Sequence, residues 1–177
     1  MIYYTSDLHL NHKNIIRLCN RPFQSVEEMN DTLVRNWNNK VKPTDEVYFL
    51  GDFCWGKDTA NDRYEIVKYL NRLNGRKYFI TGNHDYNFGK RQSVDGYCEW
   101  VRNYAEIRDN GRNVVLFHYP IEDWDGKYRG SYHLFGHIHN NTPELNTKIP
   151  NRFNVCVDVN DFEPKTLDEL IERNRNK

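Results

Sequence analysis

The sequence predicts an α/β (α+β) fold in one domain spanning residues 1–177. Three observations predict it. In the first half, short apolar and β-branched runs alternate with segments whose apolar residues recur every three and four positions. That alternation is how strand–helix–strand units read. In the second half, turn-punctuated strands supply a hairpin and antiparallel pairs. Along the whole chain, strand after strand ends in a Gly or polar tip followed by His or Asp.

Residues 2–6 form the first strand, which ends in Asp7-Leu8-His9. Residues two apart in an extended segment point to one side, so Asp7 and His9 can reach one metal ion together. His12 opens a short helix with Ile15, Ile16 and Cys19, and reads as a supporting or surface residue rather than a ligand. Arg21-Pro22-Phe23 breaks the chain. Ser25 and Glu28 then form a capping box. Val26, Met29, Leu33 and Trp37 make the apolar stripe of a helix that stops before Lys42-Pro43. Residues 46–50 are the second strand, ending in Gly51-Asp52. A loop with Trp55 and Lys57 leads to a helix over 62–73, stopped by Gly75. Residues 77–81 are the third strand. Gly82 lets the chain turn, and Asn83, His84 and Asp85 bring an amide, an imidazole and a carboxylate to the tip. Ends of parallel strands are where α/β proteins place their sites.

Residues 86–91 read as an aromatic and basic loop, and 93–103 as a helix. Strands 104–108 and 113–117 flank Asn110-Gly111, the signal of a tight hairpin. The second of them ends in His118. A loop over 121–129 holds Trp124, Tyr128 and Arg129. Strand 132–135, with His133 packed inside it, ends in Gly136-His137-Ile138-His139. A turn-rich loop precedes a strand over 153–159, and Thr166 with Glu169 opens a closing amphipathic helix.

Lys plus Arg and Asp plus Glu are equal at 25 each, so net charge argues for neither nucleic acid nor anionic membrane as a partner. Four scattered cysteines without a CxxC pair point to reduced thiols and a cytoplasmic location. No stretch is long enough to span a membrane, and the N-terminus lacks the features of a signal peptide.

Five strand tips thus carry Asp7 and His9, Asp52, Asn83 and His84, His118, and His137 and His139. This mixed nitrogen and oxygen set suits manganese first, with iron, zinc, nickel or cobalt as alternatives, better than calcium or magnesium. The set is too large for one ion. Two ions about 3.5–4 Å apart would use it all, with the two oxygens of Asp52 spanning both.

Taken in this order, Asp7-x-His9, Gly51-Asp52, Gly82-Asn83-His84-Asp85, His118 and Gly136-His137-x-His139 resemble the calcineurin-like metallophosphoesterase family. The likeness runs from Ile2 to His139 and is nearest to small single-domain prokaryotic and phage-type members. It implies a four-layer αββα sandwich of two mixed sheets flanked by helices, with the metals at the strand tips between the halves. It also implies roles. Asp7, His9 and His139 would hold one metal, Asn83, His118 and His137 the other, and Asp52 would bridge them. A metal-bridging hydroxide would attack phosphorus in line, and His84 would protonate the leaving group or orient the phosphate. Asn83 would also contact a phosphoryl oxygen, and Asp85 would stabilise the turn and orient a histidine from behind.

Two departures from the family pattern matter. Phe117 stands where many members have Gly. The run Gly51-Asp52-Phe53-Cys54-Trp55-Gly56-Lys57 lacks the second Asp and the Arg of the protein Ser/Thr phosphatases, which weighs sharply against that reading. The expectation is a phosphoesterase acting on a small ester, a nucleotide-like diester ahead of a monoester. Arg21, Lys57, Arg91 and Arg129 are candidates for a second phosphate contact, and Trp55, Tyr86, Phe88, Tyr119, Trp124 and Tyr128 for stacking a base. A DNA nuclease is disfavoured by the neutral charge and the short run after the last motif. A catalytically dead scaffold is disfavoured by the complete ligand set.

Overall fold

Two four-stranded sheets carry the chain, in the orders β1-β2-β3-β4 and β5-β6-β7-β8. The computed structural model describes residues 1–56, 60–85, 94, 96–142 and 149–175. The first sheet comprises β1 (Ile2–Thr5), β2 (Glu46–Leu50), β3 (Arg76–Ile80) and β4 (Trp100–Arg102). All three of its pairings are parallel. The second comprises β5 (Tyr104–Asp109), β6 (Arg112–Phe117), β7 (Tyr132–Phe135) and β8 (Arg152–Asn154). Only β5 and β6 run antiparallel; β7 and β8 continue in parallel. So of the two sheets, the second is the mixed one.

Alternation along the strands explains the layering. Tyr3, Val47, Phe49 and Phe79 face one core with the helices α2 (Val26–Lys40) and α3 (Ala60–Arg72). Their neighbours Tyr4, Tyr48, Leu50 and Ile80 face the other core, between the sheets, opposite Val114, Leu116, Leu134 and Phe153. Both faces of the first sheet are therefore buried, which is why its strands read as continuous apolar runs. Leu167 and Leu170 of α4 (Leu167–Arg175) close the inter-sheet core. On the far side of the second sheet, Trp124 covers His133 with ring centres 5.4 Å apart.

Local chemistry sets the ends of the helices. Ser25 Oγ accepts the Glu28 N–H at 3.1 Å, while the Glu28 carboxylate takes the Gln24 N–H rather than that of Ser25. At α4 the box is reciprocal: Glu169 accepts the Thr166 N–H at 2.7 Å, and Thr166 Oγ accepts the Glu169 N–H at 3.3 Å. The short α1 (Lys13–Leu18) begins after His12. Asn110 and Gly111 both have positive φ (49° and 82°), the geometry a two-residue hairpin demands. Among the described residues, no helix is long and apolar enough to cross a membrane.

Two expected elements are corrected. The helix over 93–103 is not formed at its described end, where Trp100–Arg102 is a strand pairing with Tyr78–Ile80. Val101 packs on the helix-side core while Trp100 packs on the inter-sheet core, the alternation of a strand and not of a helix. The strand over 153–159 ends at Asn154. There the Asn154 side chain accepts the Cys156 N–H, and the Asn160 amide donates to Asn154 O and Cys156 O. Those bonds hold a turn instead of a ladder.

His133 lies inside β7, fully buried. Its Nδ1–H faces Val115 O at 3.3 Å, and its Nε2 accepts the Ile121 N–H at 3.3 Å. Burial pulls its pKa down to about 4, against the smaller opposing pull of the Val115 and Tyr119 carbonyls, the latter 3.2 Å from Nε2. A histidine depressed in the folded state contributes its full stability above pH ~6.5 and loses it as pH falls toward 4, by about 2 kcal/mol at pH 5. Urea unfolding of wild type and His133→Gln at pH 7 and pH 5 should therefore show a smaller acid loss in the variant. Equal losses would refute this.

Candidate metal centre

Parallel pairing puts the ends of β1, β2 and β3 on one edge, and the ladder runs on past them. Asp7 N–H donates to Gly51 O at 2.9 Å and His9 N–H to Asp52 O at 3.0 Å. The second sheet meets this edge through its own tips, where Gly136 N–H donates to His118 O at 2.9 Å. The two sheets are tied together at the carboxylate of Asp7, which accepts the His137 N–H at 3.0 and 3.1 Å. Ser6 and Cys156 bridge the same seam.

The seven candidate ligands converge in two groups. In one, Asp7, His9 and Asp52 bring ligand atoms within 4.8 Å of one another. The His139 ring stacks 5.1 Å from that of His9, with its Nε2 3.8 Å from Asp7 Oδ1. In the other, Asn83 Oδ1 lies 3.1 Å from His118 Nε2 and 2.9 Å from His137 Nδ1. Asp52 stands between them, its Oδ2 3.5 Å from His9 Nε2 and 3.5 Å from His118 Nε2.

The backbone is bent to achieve this. Asp7, His9, Asp52, His137 and His139 all have positive φ, between 49° and 70°. Such conformations cost about 1–3 kcal/mol each and persist where the surroundings impose them. The extended geometry expected for Asp7-Leu8-His9 is thus corrected: two left-handed residues, not a strand, turn both side chains inward. The same kinks send His137 and His139 to different groups. Two motif glycines make the room. A Cβ on Gly82 would sit 2.3 Å from Asp52 Oδ1, and one on Gly136 would sit 2.3 Å from Asp7 Oδ2.

The donor set fits a cation. His9 Nε2 is buried and has no hydrogen-bond partner. His118 Nδ1 faces Leu50 O at 2.7 Å. A donor there leaves the Nε2 lone pair aimed at Asp52 and Asn83 oxygens, acceptor against acceptor. Separations near 3 Å match the edges of a coordination shell with bonds of about 2.1 Å. Charge follows the same logic. Burial alone would raise the Asp52 pKa, but His118 and His9 hold it at about 2. Burial would lower those of His118 and His139, but Asp52 and Asp7 bring the first up to about 9, and Asp158 and Cys19 with Asp7 bring the second up to about 10. The hollow therefore draws positive charge, as protons or as metal.

A model described as calcineurin-like phosphoesterase matches residues 1–118. The chain belongs to this family. It is a metal-dependent phosphoester hydrolase. A relative in Methanocaldococcus jannaschii, the uncharacterised protein MJ1445, is 41% identical over 175 residues, covering 97% of this chain and 89% of that one. A UDP-2,3-diacylglucosamine hydrolase of Ectopseudomonas mendocina is 29% identical over 125 residues, covering 67% of this chain and 47% of that protein. The crystal structure of AQ665, a protein of unknown function from Aquifex aeolicus, has 27% identity and a TM-score of 0.76 over 98% of each chain.

Other expected residues of this phosphoesterase fall differently. Arg21 is corrected. It is buried, donates to Asp7 O at 2.7 Å and Leu8 O at 2.8 Å, and pairs with Asp158 at 2.8 and 2.9 Å. It braces the first tip and cannot reach a substrate phosphate. Arg129 points to solvent and pairs with Asp125 at 3.2 Å. Lys57, Arg91, Tyr86 and Phe88 lie outside the described residues. Trp124 is core packing, bonded to Ser131, and Tyr128 is exposed. Tyr119 flanks His137 at 4.6 Å. Asp85 stabilises the turn as expected, but by holding backbone rather than a histidine, accepting the N–H groups of Gly82, Asp52 and Phe53 at 2.6–3.0 Å.

Asp158 went unread. Its carboxylate accepts from His139 Nδ1 at 2.7 Å while pairing with Arg21, and both partners hold its pKa well below the carboxylate range against burial. The only sequence trace is a charge between Val157 and Val159 after the last motif. Such partners orient metal-binding imidazoles. Asp158→Asn should weaken metal binding about 10–100-fold, measured by manganese titration; unchanged affinity would refute the role. Arg21→Ala should lower unfolding free energy by about 3–5 kcal/mol, because it strands a buried carboxylate. A stable variant with only a raised KM would restore Arg21 to the substrate.

Proposed function

We propose that this chain uses two metal ions to hydrolyse a small phosphate ester, with a preference for nucleotide-like diesters. The observation that carries the two-ion reading is the single Asp52 oxygen, 3.5 Å from one histidine of each group. Asp7, His9 and His139 would hold one ion, and Asn83, His118 and His137 the other. Bound there, the metals would neutralise phosphoryl charge and acidify a water to serve as nucleophile.

The protein's own groups then set the geometry. Asn83 turns its Oδ1 to the two histidines, so its amide N–H donors remain for a phosphoryl oxygen. The His84 N–H donates to Asp52 Oδ1 at 2.8 Å, which anchors the backbone that presents its ring. That ring, half-buried and 5.4 Å from His9, would protonate a leaving oxygen or hold the phosphate. The diester preference is supported by the cleft beside His84, whose lining holds no Lys or Arg among the described residues. A diester monoanion needs less compensating charge than a monoester dianion. The related hydrolase of a UDP-linked sugar is consistent with such a substrate.

Metal-stripped protein resupplied with Mn, Fe, Ni or Zn should hydrolyse bis(p-nitrophenyl) phosphate faster than the monoester. His84→Ala should lose about 10²–10⁴ in kcat while keeping two metals per chain. Faster monoester turnover would replace the diester preference with a phosphomonoesterase, and failure to bind metal would overturn the reading altogether.

A further inference from the structure

Next to the metal centre lies a cleft of about 540 Å³ whose walls are mostly apolar. It is continuous with the site, because His9, His84 and His139 form one side of it. Ile15 and Leu18 of α1 and the Trp55 ring also line it. Trp55 stacks on His12 with ring centres 3.8 Å apart and planes 10° from parallel. Its ring centre is 5.0 Å from that of His84.

This aromatic surface is built in place. The Trp55 N–H donates to Leu10 O at 2.8 Å, and Leu10 pairs with Cys54 in a backbone bridge. Leu10 follows directly on the first tip, so the Trp55 backbone is held in register with it, and the stack on His12 sets the ring. Yet Trp55 remains 40% exposed and Leu18 58% exposed, although both border the enclosed centre. Large apolar groups left open beside a reaction site are what a ligand covers. No Lys, Arg, Asp or Glu lines the cleft among the described residues, and the Asn14 and Asn141 amides are its uncharged polar groups other than imidazoles. A second phosphate or a charged sugar acid would find no partner there. A flat, neutral ring would find a stacking face and two amides.

We infer that this cleft binds a planar aromatic group, a nucleobase or an aryl ring, carried by the ester whose phosphate sits at the metals. The inference rests on the phosphoesterase reading above and adds to it the class of organic group recognised.

Binding of methylphosphonate, phenylphosphonate and a nucleoside 5′-methylenephosphonate to the manganese-loaded protein tests this, since none of the three can be hydrolysed. Inorganic phosphate serves as the reference ligand. One or both aromatic ligands should bind about tenfold tighter than methylphosphonate, the scale of one stacked ring; which of them does distinguishes the aryl from the nucleobase source. Trp55→Ala and Leu18→Glu should each shrink that advantage to within about twofold, and Trp55→Phe should keep most of it, with phosphate affinity and metal content unchanged. Equal binding of all three phosphonates would overturn the inference while leaving the parent reading intact. So would an aromatic advantage that survives both Trp55→Ala and Leu18→Glu. Loss of inorganic phosphate binding in the wild type would overturn the parent reading and this one together.

Discussion

The carboxylate of Asp52 is the constraint on which the rest of the site depends. It is almost fully buried, where an ionised group is costly unless it is bonded on every side. One oxygen accepts the His84 N–H and so fixes the third tip relative to the second. The other faces a histidine from each half of the centre. Asp85 returns the favour to the backbone by accepting the N–H groups of Asp52 and Phe53. Two carboxylates thus staple β2 and β3 at their ends, and the glycine at position 82 is the space they need.

A second chain of charges runs from the centre into the core. Arg21 pairs with Asp158, and Asp158 holds His139. Arg21 also binds the carbonyls of Asp7 and Leu8, so the same guanidinium positions the first tip and the last histidine. A buried ion pair of this kind is weak evidence for net stability. Its value here is geometric, because the left-handed backbone at Asp7, His9 and His139 must be held against its own preference.

Much of this was readable residue by residue. The strands β1, β2, β3, β6 and β7 declared themselves because each holds a short run of buried apolar residues. Asn110-Gly111 and the Thr166–Glu169 pair each specify their turn or cap through local bonds. The strand at Trp100 did not, because its pairing with β3 is a long-range contact that local periodicity does not encode. Arg21 misled for a related reason: a basic residue near a phosphate site looks the same in sequence whether it faces solvent or the core.

The sequence alone carried the inventory of donors, their order and their attachment to strand ends, since each depends on residue type and on neighbours a few positions away. The fold supplied the partnerships. His137 and His139 are two residues apart yet serve different groups, and Asp7 meets the His137 N–H across 130 residues. Asp158 became part of the site only because the turn after β8 carries it back to Arg21 and His139. Which side chains share a cation is set by the register of parallel strands and the kinks at their tips, and those follow from packing two sheets together, not from any local run of residues.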